Sequence, residues 1–163
     1  MLDYVLHAQR SNLHYLKSLV KDIRDDQMTA QPVSGITLNH PAWILGHIAG
    51  AADFALVSMG AKGVAPASWN ALFMPGTKPQ NDAQIYPKKA ELIAVIELAY
   101  QRVAQTMPTI AAATWALPFP LEKMRPYWPT LGDGVFYLVT AHDAAHLGQL
   151  SAWRRAMGMP SVM

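Results

Sequence analysis

Apolar residues recur along this chain with the three-to-four-residue spacing of helices, in stretches divided by long, proline-rich connections. At about 100° per residue, Leu2, Val5, Leu6, Leu13, Leu16, Val20 and Ile23 share one stripe, and Arg10, Lys17 and Lys21 turn away from it. This predicts a first helix over Leu2 to Arg24. A second runs from Pro41 to about Met59, with Thr37, Asn39 or His40 as its cap, Pro41 in its first turn, and Gly60 and Gly63 ending it. A third follows Pro87 and runs to Met107 with Leu92, Val95, Ile96, Ala99 and Val103 on its stripe. A fourth follows Pro129, where Thr130 and Asp133 have the spacing of a capping box, and continues unbroken to Met157, before Gly158 and Pro160. The pattern predicts one all-α domain over residues 1–163, a four-helix bundle with two irregular loops.

Those loops, residues 60–86 and 108–129, carry Trp69, Phe73, Trp115, Phe119, Tyr127 and Trp128. Loops so long and aromatic either cover a site or seal the ends of the bundle. Hydrophobic residues make up 52% of the 163 and charged ones 15%, apolar enough to suggest a second buried surface. The side of helix two carrying Leu45, Ala49, Ala52 and Leu56 is one candidate for a homodimer interface, unless helix one covers it. Net charge is +2, and no lysine or arginine run tracks a phosphate backbone, so nucleic acid is not an expected partner. No export signal is visible. The most apolar segment, Pro41 to Val57, is interrupted by His47 and Asp53 and falls short of the ~20 apolar residues of a membrane span, so a buried helix is expected and no membrane. With no cysteine there are neither disulfides nor thiolate ligands, which fits the cytoplasm and requires any thiol chemistry to use an external thiol.

An imidazole buried among aliphatic side chains needs a partner for each ring nitrogen, so the informative histidines are those that face inward. His7 and His14 point away from the leucine stripe of helix one. On an unbroken helix four, His142 and His146 fall within about 20° of the centre of the apolar face, beside Val135, Leu138, Val139 and Trp153. Their i, i+4 spacing stacks the rings within reach of one tetrahedral cation. Gln149, a turn further on, is placed to orient a ligand ring or a water. His47, flanked by Trp43, Gly50, Ala51 and Phe54, also points inward. Three imidazoles from two helices can meet in a narrow core and leave a divalent ion one open position. Spacing alone leaves this reading beside a plainer one, in which the three are hydrogen-bonded core histidines. His40, two turns before His47, is read as a cap or a residue at the pocket mouth, and Asp143 as lying at the edge of the face, in the place of a zincin glutamate.

The segment Asn39-His40-Pro41-Ala42-Trp43-Ile44-Leu45-Gly46-His47-Ile48 resembles the helix-two histidine motif of the DinB-like superfamily of helical metalloproteins. His142-Asp143-Ala144-Ala145-His146-Leu147-Gly148-Gln149 resembles its helix-four motif, and Tyr86-Pro87 its helix start after a long loop. Asp143 stands where glutamate is usual and Leu147 where arginine is frequent. The resemblance implies up-up-down-down connectivity, homodimers, and zinc or nickel on the residues matching His47, His142 and His146. It also implies a choice of activities, since its members include transferases and isomerases that use low-molecular-weight thiols. Three functions follow. A thiol transferase would need cationic or donor groups for its cosubstrate, with Lys123, Arg125 and His40 as candidates. A hydrolase would need a carboxylate base, with Asp143 as the local candidate. A non-enzymatic, metal-stabilised dimer acting in stress response or binding would need neither.

Overall fold

The computed structural model describes residues 2–162. Their regular structure is helical: α1 (Leu2–Val20), α2 (Pro41–Ser58), α3 (Asn70–Phe73), α4 (Lys89–Thr106), α5 (Ala112–Trp115), α6 (Leu131–Leu138) and α7 (Ala141–Ala156), with short 3-10 turns between them. Among the described residues, β pairing is confined to one bridge between Pro118 and Thr130, which pins the loop before α6.

The first helix stops at Val20, short of Arg24, because cations from other helices take the carbonyls that would continue it. Arg154 of α7 donates through Nη1 to the Leu19 carbonyl at 2.7 Å, and Lys89 at the start of α4 donates to the carbonyls of Val20 and Ile23. The last turn of α1 is thereby tied to both neighbours.

α2 is apolar around its whole circumference and is the central helix. Every residue from Pro41 to Ala49 is buried. It packs most extensively on α4 and also on α3, α6 and α7, while α1 packs on α7 and α4. The four long helices thus close a ring of pairwise contacts, α1 to α4 to α2 to α7. Leu45, Ala49, Ala52 and Leu56 are at most 1% exposed, in cores shared with Leu92, Ile96, Ala99 and Val103 of α4. That face is therefore internal and not a dimer surface, and α4 rather than α1 is its main cover. By length and composition α2 is the one described helix able to cross a bilayer, yet it lies mostly buried within the protein.

The expected fourth helix is two. Thr130 and Asp133 form the capping box, Asp133 N–H donating to Thr130 Oγ1 at 3.2 Å and Thr130 N–H to Asp133 Oδ2 at 3.0 Å. α6 then ends at Leu138, and Thr140 leaves helical geometry at φ −134°, ψ −79°. The Thr140 hydroxyl turns back on the Phe136 carbonyl at 2.5 Å, and Asn12 of α1 donates to the Thr140 carbonyl at 2.9 Å. The break resets the helical phase. On α7 the buried side is Asp143, Leu147, Leu150, Trp153 and Arg154, and His142 and His146 sit half-buried on its flank. Asp143, expected at the edge of an unbroken helix, is inside at 1% exposure.

Candidate metal centre

α2 delivers His47 and the first two turns of α7 deliver His142 and His146, so that one ring nitrogen from each lies within 4.8 Å of the others. His40 begins the arrangement. Its Nδ1 accepts from Trp43 N–H at 3.2 Å as the cap of α2, and its Nε2–H donates to the Gln80 carbonyl at 2.9 Å. With both nitrogens committed and no exposed surface, His40 is a structural cap. It neither lines a pocket mouth nor has a nitrogen to offer a cosubstrate.

His47 sits two turns further on, with Trp43 stacked against it at 4.6 Å and 14°. Its Nδ1–H donates to the Phe73 carbonyl at 2.7 Å. That carbonyl is in place because α3 closes onto α2 over Gly46, where any Cβ would run into the Phe73 ring. Glycine is required at Gly46 by this close approach. Once Nδ1 holds the proton, Nε2 of a neutral His47 carries a lone pair, and it faces His142 Nε2 at 3.1 Å.

On α7, His146 Nδ1–H donates to Gln149 Oε1 at 3.1 Å, and Asn39 Nδ2 donates to the same oxygen at 3.0 Å. His142 Nδ1 faces Asp143 Oδ1 at 3.5 Å, and both atoms are buried without a partner. The other oxygen of Asp143 accepts from the hydroxyl of Tyr100 on α4. Each of the three rings therefore turns Nδ1 to a protein oxygen and leaves Nε2 for the common point. One proton can reconcile two facing lone pairs; a cation reconciles three. The donor set suits a divalent metal, and its outer oxygens are of the kind that fix the tautomer of ligating histidines.

Electrostatics favour the neutral form of two of the donors, His47 and His146. Burial holds His47 below its ordinary pKa, with the charge of His142 adding to the effect. Burial, then the charges of His142 and His47, push His146 down to about 4. Burial raises Asp143 against the pull of His142 and Tyr100, and raises Tyr100, with the Asp143 charge adding, so that the phenol stays protonated and donating.

The remaining candidates lie elsewhere. His7 and His14 are exposed on α1. Lys123 and Arg125 are exposed on the loop before α6, where Arg125 Nε donates to the Phe119 carbonyl at 2.9 Å. That loop reaches the centre through aromatic contacts, Trp128 to Tyr137 at 5.2 Å and Tyr137 to His142 at 6.1 Å. Asp143 lies behind His142 and is held by Tyr100, so it is not a free base at an open position. Sequence reasoning missed Tyr100 and the carbonyl of Phe73, a residue it named only as a loop aromatic. A hydroxyl in the otherwise aliphatic stripe of α4 is a legible sign of a buried partner. A backbone carbonyl on a loop leaves no such sign.

None of the curated proteins compared with the chain matches it. A family model described as the DinB superfamily matches residues 7–150, a span that takes in His47, Tyr100, His142 and His146, and the chain belongs to the DinB superfamily.

Proposed function

We propose that the protein is a metal-dependent enzyme in which His47, His142 and His146 hold a divalent cation, zinc or nickel, and leave one position for a small thiol supplied from outside. The observation that carries this reading is the shared orientation of the rings, with each Nδ1 facing a protein oxygen and each Nε2 left for a common point. Bound there, the ion supplies the Lewis acidity that lets a thiol or a water ionise near neutral pH. The chain's own residues prepare the place. Phe73 and Gln149 orient two of the rings, burial keeps His47 and His146 neutral, and the stacked Trp43 covers one face of His47.

A thiol is favoured over hydrolytic water because Asp143, the candidate base, is tied to Tyr100 and turned to the outer nitrogen of His142. Lys123 and Arg125 are candidates for the carboxylates of an anionic thiol, since their loop touches the centre through Trp128 and Tyr137. The up-up-down-down connectivity of the family is the topology we assign to the ring of four long helices, with assembly as a homodimer through a face other than that of α2.

The test begins with protein purified without a histidine tag. Elemental analysis is expected to find one divalent ion per chain, and His146→Ala to lower affinity at least 100-fold. Wild type without stoichiometric metal would sink the centre. The loaded protein is then offered small thiols with electrophilic acceptors. Consumption of thiol that stops on chelation supports the reaction, and a loaded protein inert toward every thiol removes it.

A further inference from the structure

Asp143 is a carboxyl on the core side of α7, on the stripe that continues through Leu147 and Leu150, and it is 1% exposed. A buried carboxyl survives in such a place when its oxygens are satisfied. Oδ2 is satisfied by the Tyr100 hydroxyl, itself buried and carried on a different helix. Oδ1 has no partner, and neither has His142 Nδ1 at 3.5 Å from it. Two buried orphans of complementary type, facing each other slightly beyond bonding distance, mark a hydrogen bond that closes when the ring is held from its other side.

From this geometry we infer that Tyr100 is a positioning residue for the metal centre, acting through Asp143 on His142. By occupying Oδ2, the phenol fixes the rotamer of Asp143 so that Oδ1 faces the outer nitrogen of His142. The proton of His142 then resides on Nδ1, and Nε2 is free to ligate. Phe73 does this for His47 and Gln149 for His146. For His142 the support spans two helices, so the packing of α4 sets the donor state of a ring on α7. This inference rests on the metal-binding reading above.

The experiment compares wild type, Tyr100→Phe, Asp143→Asn and Tyr86→Phe. The last removes another buried hydroxyl, one that accepts from Gln80 N–H, and keeps the ring that packs on His40 and Phe73. Zinc affinity is measured by competition with a chelating dye, and the His142 tautomer by nitrogen-15 NMR on the metal-free protein. Tyr100→Phe and Asp143→Asn are expected to weaken zinc binding by about 10- to 100-fold, the usual cost of losing such an outer partner, and to reduce the Nδ1–H tautomer of His142. Tyr86→Phe is expected to leave both unchanged. Wild-type zinc affinity and an unaltered tautomer in a folded Tyr100→Phe protein would overturn the inference alone. Should Tyr100→Phe not fold, Asp143→Asn decides by the same two readings. Wild type that binds no zinc takes the metal-binding reading down together with this one.

Discussion

At the scale of single residues, the centre depends on groups that bear no ligand. Gly46 is the sharpest case, because the Phe73 ring occupies the space of its missing Cβ. Gly46→Ala is expected to force α3 outward, costing about 1–3 kcal/mol by overpacking and withdrawing the Phe73 carbonyl from His47. Urea denaturation reads the first effect and zinc titration the second. A variant with unchanged stability and affinity would show that α3 yields freely. Arg154 is a second case. It is 2% exposed and joins α7 to the Leu19 carbonyl, to Asp22 and to the Pro160 carbonyl. Arg154→Met is expected to cost about 2 kcal/mol, less than a fully buried pair because Asp22 is half in solvent, measured by urea melts. The meeting of His47, His142 and His146 was legible in the sequence because i, i+4 spacing and a histidine on an apolar helix are local facts. The oxygens that orient them were not, since Phe73 contributes a carbonyl and Tyr100 meets Asp143 across 43 residues of chain.

At the scale of elements, the departures from expectation have physical causes in tertiary contacts. A helical wheel carried from Thr130 to Met157 assumes one phase, whereas the Thr140 hydroxyl and Asn12 of α1 break that phase in the middle. The i, i+4 pair survived because it lies wholly within α7; the side on which Asp143 falls did not. The ending of α1 depended likewise on Lys89 and Arg154, which a single-helix pattern does not contain. The start of α2 was legible as a choice among caps, and His40 is the one used. Burial holds its pKa below the ordinary 6.5. A histidine depressed in the folded state contributes stability that is complete above its unfolded pKa and lost as pH falls below that value toward the folded one. Protonation would also remove the acceptor from Trp43 N–H and set a cation at the positive end of a helix. In chelator, wild-type stability is therefore expected to fall as the pH drops below about 6.5. His40→Asn, which keeps a capping acceptor without titrating, should show a shallower slope. Parallel slopes in urea melts would assign the acid sensitivity to other groups.

At the scale of the whole molecule, the three histidines tie α2 to α7 within the ring of long helices. A ligand that binds the folded state alone shifts its stability by mass action, so zinc at 100 times its dissociation constant is expected to raise Tm by about 5–10 °C, and excess chelator to reverse it. Calorimetry with and without chelator measures this, and a Tm indifferent to zinc would count against a site shared between helices. The all-helical class was legible because apolar stripes at helical spacing dominate the chain, while the division of the last stripe into α6 and α7 was not. The identity of the central helix was legible too, in an α2 apolar on every side, although that same property was open to being read as an external interface.

The all-imidazole donor set also has a consequence in charge. Three neutral rings cancel none of the charge of a dication, and the carboxyl of Asp143 behind His142 offsets at most one unit of it. The loaded centre would keep a net positive charge beside the rings of Trp43 and Tyr137, among largely buried groups where screening by water is reduced. Such a centre would draw in anions and hold them against the ion, whereas a site built from carboxylates or thiolates would have spent that attraction on its own ligands.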